Sequence, residues 1–414
     1  MIVKNESAVI RRCLDSVKGI IDYWVIVDTG SDDGTQAIIQ ECLQDIPGEL
    51  HERSWVNFAH NRNEALALGK ERGDYLLFID ADEWLVYRDA LQLPELTEDF
   101  YAAAYHHGSS ISQRVLFVNG RFDWKWDGVI HESIDCLFAH RGHFLEEAYI
   151  QATHDGFRSK DLQKKYLMDA QVMEEALQND PQNTRYIYHL AGTYEAAKEY
   201  ELALKYFDQR IAINDSNFEI YYSLYRLGII QQHLGMPPEV FLKSFVKAYL
   251  FRPTRAEPFF SLANYYMGIK CHILGYLFSK SAISISDTND FYYNQFKINE
   301  YGLYYQLAEC AAAIGEFQEA YEALRHLLAV ETLPPDIREA SEKNIALPVF
   351  DPFRNQIYTE HASQIGFRRR RQPLSSSPPA SPNLFKLGCF GASKPGSNSG
   401  RLLAQFPIFE SRSV

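Results

Sequence analysis

Two acids lie one residue apart in Asp80-Ala-Asp82, with Glu83 beside them, directly after the apolar run Tyr75-Leu-Leu-Phe-Ile79. Carboxylates delivered together at a strand end can converge on a hard divalent cation through oxygen ligands. Such an ion neutralises charge as a diphosphate departs. A lone D-x-D is common in solvated turns, but Phe78-Ile79 upstream and Trp84-Leu85 downstream anchor this one. Another acid, Asp28, ends the run Val25-Ile-Val and precedes Thr-Gly-Ser31-Asp-Asp-Gly34-Thr35. An acid there can hydrogen-bond a base or a ribose. The Gly and Ser then permit a tight turn into a helix over 36–42, capped by Ser31 or Thr35. Alone, the stretch reads equally well as a plain strand–turn–helix junction.

The elements that must hold these acids alternate. Met1–Lys4, Tyr23–Asp28 and Asp74–Asp80 are strand-like, while Ser7–Val17 and Asn57–Glu71 have helical spacing. Strand–helix–strand repetition predicts an α/β domain with a mostly parallel sheet. Ligands collect at the carboxyl ends of such strands, where Asn5-Glu6, Asp28–Ser31 and Asp80–Glu83 fall. The pair His106-His107 is expected in a loop, without a role. From about Arg158 the pattern becomes helical. Ile187, Leu190-Ala191, Tyr194, Ala203-Leu204, Phe207 and Ile211 match tetratricopeptide spacing, with Asp215 at the usual proline place. A looser copy runs through Tyr221, Leu224, Leu227-Gly228, Phe245, Ala248 and Pro253, and 259–266 and 301–328 suggest further helical pairs. Stacked hairpins share a core, so these residues are read as packing. The expected domains are 1–157 (α/β), 158–346 (helical repeats) and 347–414, a low-complexity tail with too little apolar surface to fold.

With 414 residues the chain exceeds what one core usually serves. Six cysteines without a C-x-x-C pair argue against a zinc ribbon or disulfide framework and suit a reducing, cytoplasmic setting. Apolar runs stay far short of the roughly 20 residues of a membrane helix. The net charge of −13 argues against nucleic acid as partner. That charge is uneven: residues 1–157 carry 13 basic and 27 acidic side chains, a net −14, whereas 158–350 carry −5 and 351–414 carry +6. A domain so acidic needs a cation and local basic groups such as Arg62 to hold a polyanion.

Taken in order, Met1-Ile-Val-Lys-Asn-Glu6, Cys13-Leu-Asp-Ser-Val17, Val27-Asp-Thr-Gly-Ser31 with Gly34-Thr35, Phe58–Arg62-Asn63 and Phe78-Ile-Asp-Ala-Asp-Glu83 resemble the family 2 glycosyltransferases. Within that family the chain is similar to a bacterial branch that joins a short catalytic domain to tetratricopeptide helices. The resemblance spans 1–345 and is strongest over 1–90. It implies a Rossmann-like GT-A fold in which Asn5, Glu6 and Asp28 cradle the nucleotide and Arg62 reaches it or its phosphates. Asp80 and Asp82 take the metal positions for Mg or Mn, with Asp82 the direct ligand, Asp80 the ribose contact and Glu83 behind them.

Further along, Trp124-Lys-Trp-Asp127-Gly-Val-Ile-His131-Glu132 resembles that branch's W-x-G-x-x-H-E signature. An inverting transfer needs a carboxylate within reach of the acceptor hydroxyl, and Glu132 is the first choice, Asp127 the second. The competing reading of Glu132 is a structural salt bridge. Trp124 and Trp126 are either a stacking face for sugar or buried wall. His154, in Thr153-His-Asp-Gly-Phe157, stands where some GT-A enzymes place a histidine on the metal or diphosphate.

The expectation is therefore a metal-dependent transferase using a nucleotide-sugar donor, a uridine diphosphate sugar first. The acceptor would be a hydroxyl of a cell-surface glycan or lipopolysaccharide, lipid-linked, or of a polypeptide. The repeats would recruit a protein partner, and the first helices after 157 would finish the acceptor site. Met1 falls inside the first strand, so that strand is short or the start lies upstream. This favours the rival reading, a non-catalytic repeat scaffold with a decayed domain; joint retention of Asp28, Arg62, Asp80, Asp82 and Glu132 opposes it. A nucleotidyltransferase would want a glycine-rich phosphate loop with a lysine, which is missing. Arg368–Arg371 is read as solvated tail, with peripheral contact to an anionic membrane face as second reading.

Overall fold

The structure, a computed structural model, describes residues 1–88, 93–108, 110–153, 155–156, 161–213, 218–285, 300–331 and 333–354. These fall into two compact units that divide between residues 215 and 216.

In the first unit, β1 (Ile2–Val3), β2 (Trp24–Asp28) and β3 (Gly48–Glu52) form a parallel sheet in that order. Parallel neighbours need crossover connections, supplied by α1 (Ile10–Val17) and α2 (Thr35–Cys42). The α1 residues Ile10, Cys13, Leu14 and Val17 recur every three or four positions and are all buried. Ile10 and Leu14 pack with Val3, Ile26, Ile39 and Leu43, and Ala81 of the D-x-D segment joins that core.

α3 (Phe58–Gly69) follows, opened by Asn57, whose side chain accepts from the His60 N–H. A second sheet then gathers β4 (Tyr75–Leu77), β5 (Glu83–Tyr87), β6 (Phe100–His107), β7 (Ser110–Asn119) and β10 (Gly142–Ala152) in the order β4-β7-β6-β10-β5. Only β6–β10 is parallel there, so the mostly parallel pairing expected from sequence holds for the first sheet alone. The reason is local: β6 and β7 are joined by a turn at Gly108, φ 56°, too short for a crossover. His106-His107 thus end a strand instead of lying in a loop, with His106 stacked on Tyr149 at 4.3 Å. β8 (Lys125–Asp127) and β9 (Ser133–Asp135) make a separate antiparallel pair. Tyr101, Leu116, Leu145 and Ile150 fill the core of the larger sheet, which Ile79 and Leu85 enter from the two sides of the acidic turn.

The first unit continues into α4 (Leu162–Asn179), α5 (Thr184–Ala196) and α6 (Tyr200–Ile213). Ile187, Leu190, Ala191, Tyr194, Ala203 and Phe207 are buried, as their spacing predicts. The second unit holds α7 (Phe218–His233), α8 (Pro238–Phe251), α9 (Glu257–Gly268), α10 (His272–Ser284), α11 (Glu300–Ile314), α12 (Phe317–Ala329) and α13 (Pro335–Ile345). Tyr221, Leu224, Leu227, Phe245 and Ala248 are buried within it.

One closing turn recurs after α5, α7, α9 and α11. Lys198, Gly235, Lys270 and Gly315 each take a left-handed φ of 61–89°. The next residue's N–H then bonds five residues back: Glu199 to Tyr194, Met236 to Gln231, Cys271 to Tyr266 and Glu316 to Ala311, at 2.8–3.0 Å. This is the Schellman arrangement, which satisfies carbonyls at a helix end and turns the chain back. Residues 347–354, which the sequence assigns to the tail, are packed: Phe350 is fully buried against Tyr321 and Phe317. The rest of that tail, with Arg368–Arg371, lies outside the described residues, as does Asp215. No helix among the described residues is long and apolar enough to cross a membrane.

Candidate active site

Parallel pairing of β1 with β2 sets their carboxyl-end loops side by side, and a lattice of short bonds joins them. Asn5, at φ 56°, gives its N–H to Ser31 Oγ (2.9 Å) and accepts from the Asp32 N–H (2.9 Å). Glu6 N–H donates to Thr35 Oγ1 (2.8 Å) and Ser7 N–H to Asp33 (3.0 Å). Ser31 and Thr35 therefore do not cap α2, which opens on Gly34 at φ 90° without a side-chain cap. Their hydroxyls serve the neighbouring loop instead, because its N–H groups would otherwise be unpaired. Burial works against the Asp33 charge, yet hydrogen bonds from Thr35 and Ser7 hold its pKa down at about 2. Asp28 is fully buried; Oδ1 accepts from the Gly30 and Ser31 N–H groups (2.8 and 2.7 Å), while Oδ2 has no hydrogen-bond partner. Gly30, at φ 104°, makes that tight turn possible.

Around Asp80 the charges alternate along a chain. Asp80 N–H donates to Glu83 Oε2 (2.8 Å), and Glu83 N–H returns to the Asp80 carbonyl (3.1 Å), which shapes the acidic turn. Glu83 is fully buried and grips both terminal nitrogens of Arg114, from β7. Arg114 also lies 3.8 Å from Asp80 and covers the Tyr105 ring at 5.0 Å. From α3, Arg62 gives Nη2 to both Asp80 oxygens (2.8 and 3.1 Å) and Nε to Glu132 Oε1 (2.6 Å), above the Trp126 ring at 4.9 Å. Burial opposes both guanidinium charges. The facing carboxylates outweigh it and raise both pKa values: Asp80 and Glu132 for Arg62, Glu83 and Asp80 for Arg114.

Two devices hold Glu132. Asn63, next to Arg62, clasps Trp126 by both backbone groups: its Nδ2 donates to the carbonyl (2.8 Å) and its Oδ1 accepts the N–H (2.9 Å). The β8–β9 turn then bends through Gly128 (φ 109°) and His131 (φ 53°). From α5, Tyr186 Oη accepts from the Val129 N–H (3.1 Å), and Arg185 donates to Ser133 Oγ (3.1 Å) and to the His131 carbonyl. His131 stacks on His189 at 4.4 Å. Burial, with His131 and Arg185 nearby, keeps the His189 pKa well below its ordinary value.

Glu132, Arg62, Asp80, Asp82, Arg114 and Trp126 all line one cavity of about 680 Å³. Glu6 and Thr29 border it from the first sheet, and α4 closes it with Lys165, Met168, Asp169 and Val172. Asp127, by contrast, is exposed on β8 and does not border the cavity, and neither does Trp124, whose Nε1 donates to the Asn119 carbonyl (2.8 Å). Asn5 and Asp28 stand behind the lining, in the two loops that support it.

A divalent cation can be tested against these donors. Asp82 borders the cavity, and Gly156 leaves room beside it: a Cβ there would come 3.0 Å from Asp82 Oδ2. Asp80 has both oxygens engaged by Arg62. Among the described residues no cluster of three or more acidic, His or Cys side chains is arranged for a metal. His154 lies outside the described residues, between Thr153 and Asp155. Those two flanking residues are held by Arg12 of α1, which reaches Thr153 Oγ1 (3.1 Å), both Asp155 oxygens (2.8 and 3.0 Å) and the Asp82 carbonyl (3.3 Å), stacked over Trp84. Of the two D-x-D acids, Asp82 borders the cavity beside Gly156, while both Asp80 oxygens accept from Arg62.

Sequence reasoning missed Arg12 and Arg114, and named Asn63 only as the neighbour of Arg62, without a role. Only Arg114 left a signal: it alternates with Leu116 and Val118, both fully buried, so a charge sits at an inward position of a strand.

Residues 1–150, the α/β part almost entire, match the family described as Glycosyl transferase family 2, and the N-terminal region is a domain of that family. A TPR repeat-containing protein of Synechococcus elongatus is 35% identical over 148 residues, covering 33% of this chain and 34% of that protein. The SPbeta prophage-derived glycosyltransferase SunS of Bacillus subtilis is 25% identical over 226 residues, 51% of this chain and 52% of its own length. The chain thus spans between about a third and a half of these curated relatives. Among solved structures, the C-terminal part of a TPR repeat-containing protein from Cytophaga hutchinsonii aligns over 49% of this chain and 78% of its own, at 14% identity and a TM-score of 0.35.

Proposed function

We propose that the protein transfers a sugar from a nucleotide-sugar donor, a uridine diphosphate sugar first, to an acceptor hydroxyl with inversion. The observation that carries this reading is the convergence of Glu132, Arg62 and Asp82 on one cavity within a family 2 domain. The Asn5-Glu6 loop and Asp28 take the nucleoside, Glu6 at the edge of the cavity and Asp28 behind it in the turn that its Oδ1 closes. Asp82 would hold a Mg or Mn ion, with His154, outside the described residues, as a further ligand; the ion would supply charge neutralisation for the departing diphosphate. Glu132 takes the acceptor proton as base in preference to Asp127, which does not border the cavity. Trp126 forms the wall against which the donor sugar is held. The acceptor enters along α4, whose exposed Met168 and Val172 line the same space. The repeats recruit or orient a glycan, lipid-linked or protein acceptor.

The test is diphosphate release from a panel of sugar nucleotides with Mn or Mg. Asp82→Asn is expected to lower it about a hundredfold or more, the scale of several kcal/mol of metal charge stabilisation. Failure of every donor to bind by calorimetry, with either metal, would reject the transferase reading in favour of a non-catalytic scaffold.

A further inference from the structure

We infer that Arg62 is a donor-operated latch on Glu132: without donor it occupies the carboxylate, and the donor's diphosphate draws it off. The inference rests on the transferase reading above. Glu132 carries two readings, a structural salt bridge and a base, and the geometry makes both true in turn. Arg62 Nε donates to Glu132 Oε1 at 2.6 Å, so this oxygen is occupied by the guanidinium. The two grips of Arg62 are not alike. Asp80 is held at several points: its N–H donates to Glu83 Oε2 and its carboxylate accepts twice from Nη2, with Arg114 behind it at 3.8 Å. Glu132 sits on the β8–β9 turn and meets Arg62 by one nitrogen.

A diphosphate entering the cavity carries more charge than one carboxylate and competes for the Nε side of the guanidinium. Asp80, with Arg114 sharing its charge, keeps Arg62 in place while the exchange occurs. The freed Glu132 oxygen then faces the acceptor hydroxyl and can take its proton. Glu132 Oε1 is thereby open to the acceptor hydroxyl only once a donor is bound. Asp80 in this arrangement anchors Arg62 and is a positioning residue.

The test is a double-mutant cycle on UDP affinity, by calorimetry with the full chain and Mg. If Glu132 competes with the diphosphate for Arg62, Glu132→Gln binds UDP about three- to tenfold tighter than wild type. Simple relief of charge repulsion would tighten binding as well, so the same change is repeated in Arg62→Gln. The latch requires the gain to vanish there; a gain of equal size in that background overturns it, as does no gain in the wild-type background. A UDP-bound crystal structure in which Arg62 Nε still lies within hydrogen-bond distance of Glu132 overturns it independently. UDP binding without coupling, or no UDP binding in any variant, rejects the latch alone, whereas failure of every sugar nucleotide of the panel to bind rejects the transferase reading and the latch with it.

Discussion

Gly156 presses its backbone against Asp82 so closely that a Cβ on it would stand 3.0 Å from Oδ2 and 3.2 Å from the Asp82 Cβ. Gly156→Ala therefore displaces the carboxylate without touching the core. Half-saturation by Mn in diphosphate release is expected to rise about tenfold, as for other changes that reorient a metal ligand. Thermal unfolding should be little altered. An unchanged Mn requirement would mean that the ion is held elsewhere.

Arg114 and Arg72 form ion pairs of opposite character. Arg114→Leu strands the fully buried Glu83 and should cost about 3–5 kcal/mol in urea unfolding. Arg72→Leu breaks a pair with Glu49 on a half-exposed side chain and should cost about 0–1 kcal/mol. Equal costs would contradict the burial of the Glu83–Arg114 pair.

The clasp between the first two loops is acid-labile. Asp33 titrates lower in the folded chain (about 2) than its ordinary 3.8, so its stabilisation is complete above that ordinary value and is lost as pH falls through about 2. Melting curves of wild type and Asp33→Asn should therefore converge between about pH 4 and pH 2. A constant gap down to pH 2 would show that the Asp33 charge is not what closes the clasp.

Two of the four Schellman turns use lysine where glycine is at ease. A left-handed L-residue costs about 1–2 kcal/mol, against less than about 1 kcal/mol of extra chain entropy for glycine. Lys198→Gly and Lys270→Gly should each stabilise by about 0.5–1 kcal/mol, and Gly235→Ala and Gly315→Ala should each destabilise by about 1 kcal/mol. Chemical denaturation of the four variants measures both signs.

Much of the framework was legible because it is local. Ile10, Leu14 and Val17 declare a helix face by spacing alone, and Asp28 and Asp82 are placed at strand ends by the apolar runs before them. The helix pairs follow in the same way from Ile187, Leu190 and Tyr194. What was misread also has a physical cause. Ser31 and Thr35 have the chemistry of helix caps, but a parallel neighbour 26–29 residues away offers N–H groups that compete for them. A short turn between β6 and β7 made the second sheet mixed, and of its strands the sequence reading had marked only the run 74–80.

The sequence by itself determined which residue types are available: acids at the ends of buried strands, an Arg-Asn pair on a helix, and an acid following a Trp-rich segment. Only the tertiary structure decided what each one faces. Arg62 and Glu132 are 70 positions apart, and Arg114 reaches Glu83 across 31. Glu132 borders the cavity and Asp127, five residues before it, does not, because Gly128, His131 and the α5 side chains aim the loop. Periodicity reports which face of an element is buried, because burial repeats along the chain. It carries no record of ion-pair partners, since these are set by how distant elements pack and by the cost of leaving a buried charge alone.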